Sequence, residues 1–221
     1  SSDLKDVARK LNHVFSQKYR WEGQLDQIKA NIQNDLKSKG CTILQMEQEG
    51  PLLKFSFRTP QGTIENGIAR PDPIELLVAG YNPDGTHQVY SVTIPGPVQK
   101  LRDGKKPNME YGSSWIGQGD VAARIVLGFD GRIQNIEFVK EAIQKRSEQE
   151  IQGQLRGLEY AIQWGTMSLQ DAIDIATLMI QTTSAIQRFS DGINADPGDM
   201  PGVGGPINVA VITPDHGFVW V

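Results

Sequence analysis

The chain has 221 residues and a formal net charge of −4, with 38% of its residues hydrophobic and 22% charged. That length holds one large domain or two small ones and can bury a sizeable core, and the proportions are those of an ordinary soluble globular protein. Its lysines and arginines are scattered rather than clustered, which argues against the basic face that a nucleic-acid footprint needs.

Cys41 is the single cysteine, so an intrachain disulfide is excluded and a reducing, cytoplasmic setting is expected. The longest apolar runs, "LLVAG" and "INVAVI", are strand-sized and far short of a membrane span. No charged-then-apolar leader opens the sequence as given.

In chain order, "SSDLKDVARKL" has helix-like or loop-like polarity. "LDQIKANIQNDLKSKG" places Leu25, Ile28, Ile32 and Leu36 at three-to-four spacing, which predicts an amphipathic helix stopped by Gly40. "PLLKFSF" reads as a strand. "IELLVAGYNPDGTHQVYSVTIPG" reads as a hairpin turning at "NPDG", and its first, almost wholly apolar run predicts a strand buried on both faces. "GQGDVAARIVLG" reads as a glycine turn feeding a short helix. A polar helical region follows between Arg132 and Gln163.

The clearest element is "SLQDAIDIATLMIQTTSAIQRFSDG", with Ser168 as N-cap, Asp171 in the first turn and Gly192 as a candidate stop. Its apolar residues, among them Ile173, Ala176, Met179, Ile180 and Ile186, are not confined to one stripe. That predicts a helix covered on more than one side, between a sheet and a second helix or a neighbouring subunit. "PINVAVITPDHGFVWV" closes the sequence as a second hairpin, turning at "PDHG". Strands and helices come in blocks and the strand pairs are hairpins, which predicts a largely antiparallel layered α/β fold.

Generic motifs add little chemistry. "PGVGGP" leads into a strand rather than a helix, lacks a Gly-Lys-Ser/Thr end, and loses one amide at Pro206, so it does not fit a phosphate cradle. His13, His87 and His216 share no ligand spacing, which argues against a zinc site. Cys41 follows a helix-ending glycine with no histidine near it, the setting of a structural rather than a catalytic thiol. "YGSSW" is not a nucleophile elbow.

Four segments together carry more. "ELLVAGYNPDGTHQVYSV", "IGQGDVAARIVLG", "SLQDAIDIATLMIQTTSAIQRF" and "VGGPINVAVITPDHGFVWV" resemble, in this order, the central hairpin, the "G-S-G" turn into a helix, the long helix, and the "GG" turn with final strand pair of the proteasome-type N-terminal-nucleophile hydrolases. The resemblance implies one domain over 1–221, a four-layer αββα sandwich of two largely antiparallel sheets flanked by helices. It also implies a peptide hydrolase subunit working in a homo-oligomeric ring on peptide or protein substrates, with no cofactor or metal and with any unfoldase partner unidentified. In such enzymes an N-terminal threonine, serine or cysteine attacks the carbonyl with its own α-amino group as base, aided by a lysine and a glycine amide that holds the oxyanion.

Carried over residue by residue, the lysine falls on Lys10, in a Lys-Leu pair expected at a strand start, and the oxyanion amide on Gly23 before the first long helix. Ser1 is a formal N-terminal hydroxyl, but it precedes no strand and stands close to Lys10. The nucleophile and the first strand pair are therefore expected outside this sequence. The supporting turns fall on Gly117, Gln118, Gly119 and Asp120, and on Asp199, Gly204 and Gly205. Gln118 replaces the family serine of "G-S-G". Met200 and Val203 occupy the aspartate and serine positions of "D-x-x-S-G-G", leaving Asp120 or Asp199 as substitutes. Two other readings stand beside the peptidase: a catalytically inactive ring or scaffold subunit, and a small-amide hydrolase with the same nucleophile.

Overall fold

The computed structural model describes residues 3–190, 192–193, 196–197 and 202–221. It divides into two compact units, one up to Asp103 and one from Gly104 onward, a boundary that the reading of 1–221 as one domain does not draw. The first unit runs α1 (Leu4–Lys18), α2 (Trp21–Ser38), β1 (Thr42–Glu49), β2 (Leu52–Arg58), β3 (Ile64–Ala69), β4 (Ile74–Tyr81), β5 (His87–Ile94) and β6 (Val98–Asp103). Its strands form two three-stranded antiparallel sheets, β1-β2-β3 and β4-β5-β6. The fold class is thus mixed α+β.

α1 forms because Leu4, Val7, Ala8, Leu11 and Phe15 make one apolar stripe and Asp3 caps its start, accepting from the Lys5 amide at 3.1 Å. The stripe lies on β4-β5-β6 around a buried cluster of Ala8, Val78, Tyr90, Val92 and Ile94. Side-chain amides fix its position along the sheet. The Leu4 amide donates to Asn82 Oδ1 at 3.0 Å, and Asn12 Nδ2 donates to the Thr93 and Gly96 carbonyls at 3.2 and 3.1 Å. The helix start therefore meets the β4–β5 turn and its middle meets the end of β5, so α1 runs along β5 in the same direction.

The hairpin at "NPDG" is present as β4 and β5, paired from Ile74↔Ile94 to Tyr81↔His87. The expectation that β4 is buried on both faces is not met: Ile74, Leu76 and Val78 turn inward while Glu75, Leu77 and Tyr81 are exposed. β4 is an edge strand with α1 on one face, so alternation prevails over its apolar composition.

α2 carries Leu25, Ile28, Ile32 and Leu36 toward β1 and β2. Its end is a Schellman motif, in which the Cys41 amide reaches the Leu36 carbonyl at 2.8 Å and the Gly40 amide reaches the Lys37 carbonyl at 3.1 Å. Gly40 takes φ +70° there, the left-handed geometry that favours glycine. β2 is the expected strand "PLLKFSF"; β1 and β3, which flank it, are not evident in the sequence.

The second unit runs α3 (Asp120–Leu127), α4 (Glu137–Lys145), α5 (Glu148–Leu155), α6 (Leu169–Phe189), a short pair β7 (Gly192–Ile193) and β8 (Asp196–Pro197), then β9 (Ala210–Thr213) and β10 (Gly217–Trp220). α3 packs on α6. Ser168 is the N-cap of α6 and Asp171 lies in its first turn, as the sequence predicts, and the two close a reciprocal capping box. Its end differs from expectation: Ser190 turns extended, with φ −132° and ψ 143°, so the helix stops before Gly192. Among its side chains Met179 and Thr183 are buried, whereas Leu178, Ile180, Ile186 and Phe189 are exposed. Within this unit α6 is covered on one side. β9 and β10 form the second expected hairpin. Among the described residues no helix is long and apolar enough to cross a membrane.

Ala8 tests the seating of α1, because it has no exposed surface and no room for extra methyl groups. Ala8→Leu is expected to cost about 1–3 kcal/mol, read as a lower urea midpoint; unchanged stability would show that α1 does not sit closely on β5.

Candidate functional site

Lys10 lies within α1 rather than at a strand start. The three-to-four spacing of Leu4, Val7, Ala8, Leu11 and Phe15 outweighs the Lys-Leu pair as a structural signal, and it leaves Lys10 exposed on the face opposite the sheet. Gly23 lies in the first turn of α2 instead of before it. Amides at that position have no acceptor inside the helix, but a methyl group on Gly23 would meet nothing within 4 Å, so packing does not demand glycine. Lys10 and Gly23 thus sit on helices that cover different sheets. Ser1, Asp199 and Met200 lie outside the described residues.

The turn around Gly117, Gln118, Gly119 and Asp120 does feed a short helix, as expected. Gly117 has φ +73°, and Gln118 is exposed. Gly119 is the N-cap of α3, and the Trp115 ring lies so close that a methyl group there would overlap it. Asp120 is engaged elsewhere, because Arg132 Nη2 donates to it at 2.9 Å.

The same arginine holds Asp130 through its backbone amide at 2.8 Å, Nε at 2.9 Å and Nη2 at 2.8 Å. Arg124 Nε adds a further bond at 2.5 Å. Asp130 is only 8% exposed, and burial alone would raise its pKa. The Arg132 hydrogen bonds overcome that and hold the carboxyl well below its ordinary value, with Arg124 assisting. This network ties α3 to the turn after it, so Asp120 reads as an ion-pair partner rather than a group that orients a nucleophile. The sequence hides it, since the residues involved are scattered through "GDVAARIVLGFDGR".

The glycine turn is also spoken for. Gln187 Oε1, on α6, accepts from the Gly202 amide at 3.1 Å and the Val203 amide at 2.8 Å. Gly205 takes φ +83°, and methyl groups on Gly202 or Gly204 would meet nothing within 4 Å. The loop then leads to β9, which is the strand entry that argues against a phosphate cradle.

A separate concavity of about 510 Å³ lies in the first unit, between α2 and the β1-β2-β3 sheet, lined among others by Ile32, Leu36, Phe55, Phe57 and Glu65. Cys41, half-buried, stands in its wall. At its rim Lys39 Nζ pairs with Asp35 Oδ2 at 2.8 Å, and the hydrogen bond to Asp35 raises the lysine pKa. Among the described residues no three histidine, cysteine, aspartate or glutamate side chains gather as a metal ion would require.

No protein-family model, curated protein or solved structure matches the chain.

The Asp130 network predicts a pH signature. A depressed folded pKa contributes stability that is fully present above the unfolded value of 3.8 and is lost as pH falls through and below it. Asp130→Asn is expected to lower stability by about 2 kcal/mol at neutral pH, with the gap to the wild type closing as urea unfolding is repeated at increasingly acid pH. A gap that stays constant would show that the carboxylate charge is not what the arginines hold.

Proposed function

We propose that the chain is a proteasome-like subunit of the N-terminal-nucleophile fold whose part is assembly rather than catalysis. The observation that carries this reading is where apolar surface lies. In the second unit, two segments of the family resemblance, α6 and the β9–β10 hairpin, leave Leu178, Ile180, Ile186, Phe189, Phe218 and Trp220 exposed, Phe189 at 78% and Trp220 at 67%. Exposed apolar groups gathered on particular elements are the usual mark of a contact surface. A two-stranded hairpin is marginal by itself, so packing on a neighbour would stabilise it. Joining one surface to a different one on the next copy closes a ring when the rotation permits. The placement of Lys10 on an exposed helix face and of Asp120 in an ion pair supports the non-catalytic half of the proposal.

The second reading, a peptide hydrolase whose N-terminal nucleophile lies outside this sequence, is favoured by Gly23. Its first-turn amide is the kind of donor an oxyanion takes.

Sedimentation velocity and mass-resolved labelling with an electrophile directed at N-terminal nucleophiles separate these readings. The expected result is a discrete oligomer that Phe218→Glu with Trp220→Glu converts to a folded monomer, with no adduct and no peptide turnover. A wild-type monomer would overturn the assembly proposal. An N-terminal adduct accompanied by peptide hydrolysis would overturn its non-catalytic half in favour of the peptidase.

A further inference from the structure

The cleft between α2 and β1-β2-β3 has an aromatic floor. Phe55 and Phe57 stack side by side on β2, with ring centroids 6.1 Å apart and planes inclined by 22°. Across the ladder Phe55 faces Gly67, where even a methyl group would overlap its ring. The missing side chain lets the Phe55 ring lie over β3, beside the Phe57 ring in the cleft lining. Ile32 and Leu36 close the cleft from α2.

Its charges are unequal. Asp35 and Lys39 neutralise one another at the rim. Glu65 stands directly across the ladder from Phe57, and its carboxylate has no hydrogen-bond or ion-pair partner among the described residues. The cleft therefore presents one uncompensated carboxylate beside stacked aromatic rings. Ring faces attract cations through their quadrupole, and the carboxylate adds the opposite charge at the same end. An anion would be repelled there, and a neutral molecule would gain only the apolar contact. The volume, about 510 Å³, lies in the range that encloses a small organic ligand.

We propose that this cleft binds a small amphipathic amine, its ammonium between Glu65 and the Phe57 ring and its apolar body over Phe55 against Ile32 and Leu36. No covalent step is involved. This site lies within the first unit.

Cys41 makes the proposal testable, because it lines the cleft and is the only thiol in the chain. Its modification by an uncharged maleimide is followed with phenylbutylamine or with the neutral phenylbutanol as competing ligand. The expected outcome is saturable protection by the amine, half-maximal at a concentration about tenfold lower than for the alcohol. Glu65→Gln, an exposed substitution whose folding is checked by circular dichroism, is expected to raise the amine concentration needed about tenfold and to leave that of the alcohol unchanged. Equal protection by both compounds, no saturable protection by either, or an amine response indifferent to Glu65→Gln would each overturn the proposal.

Discussion

The first unit depends on how closely α1 can approach β5. Ala8, with no exposed surface, is where that approach is made, and Val78, Tyr90, Val92 and Ile94 surround it. A larger residue would lift the helix and break the bonds from the Leu4 amide to Asn82 and from Asn12 to the Thr93 and Gly96 carbonyls. With the helix held at both levels, its rotation about its own axis is no longer free. Each residue advances about 100°, so Lys10 stands about 200° from Ala8 and faces solvent. The packing that stabilises this unit thereby keeps Lys10 on a solvent-facing helix surface, whereas the family resemblance puts the lysine at a strand start.

A similar logic governs the polar groups of the second unit. Asp120 and the amides of Gly202 and Val203 are the atoms that a nucleophile-orienting network or an anion cradle would use. Arg132 takes the first and Gln187 the others. Both ties connect a helix to the loop beside it, and both satisfy groups whose bonds would otherwise have to come from water. These particular groups thus serve the packing of their own elements. α6 and the terminal hairpin, by contrast, leave large apolar groups exposed, Phe189 and Trp220 among them.

Legibility in the sequence followed the strength of local signals. The "NPDG" and "PDHG" hairpins, the Ser168 N-cap and the Gly40 stop each rest on residues that act on their own backbone within a few positions, and each is found where it is expected. β1 and β3 were not legible because "TILQMEQE" and "IENGIA" carry charged and polar groups that obscure their alternation, although "TPQG" between β2 and β3 has the same Pro-x-Gly turn chemistry as "NPDG" and closes with the same pair of backbone bonds. Lys10 was misplaced because a two-residue pattern was set against a helical stripe running from Leu4 to Phe15. The burial of β4 was overestimated because composition says how apolar a strand is, whereas only the sheet order says which of its faces is covered.

Glycines make the same point from the other side. Sequence inspection gives greatest weight to the run containing Gly202, Gly204 and Gly205, because glycines are adjacent there. The structure gives most weight to isolated ones. A methyl group on Gly128 would press into the Leu158 carbonyl, on Gly119 into Trp115, and on Gly67 into Phe55, whereas on Gly202 or Gly204 it would meet nothing within 4 Å. A glycine is informative when something lies where its side chain would be, and for Gly67 and Gly128 that neighbour belongs to another element. Gly67 has the Phe55 ring there, on the neighbouring strand directly across the ladder, and that ring lines the cleft between α2 and the sheet. No local motif announces that arrangement; it exists only once β2 and β3 are paired in register.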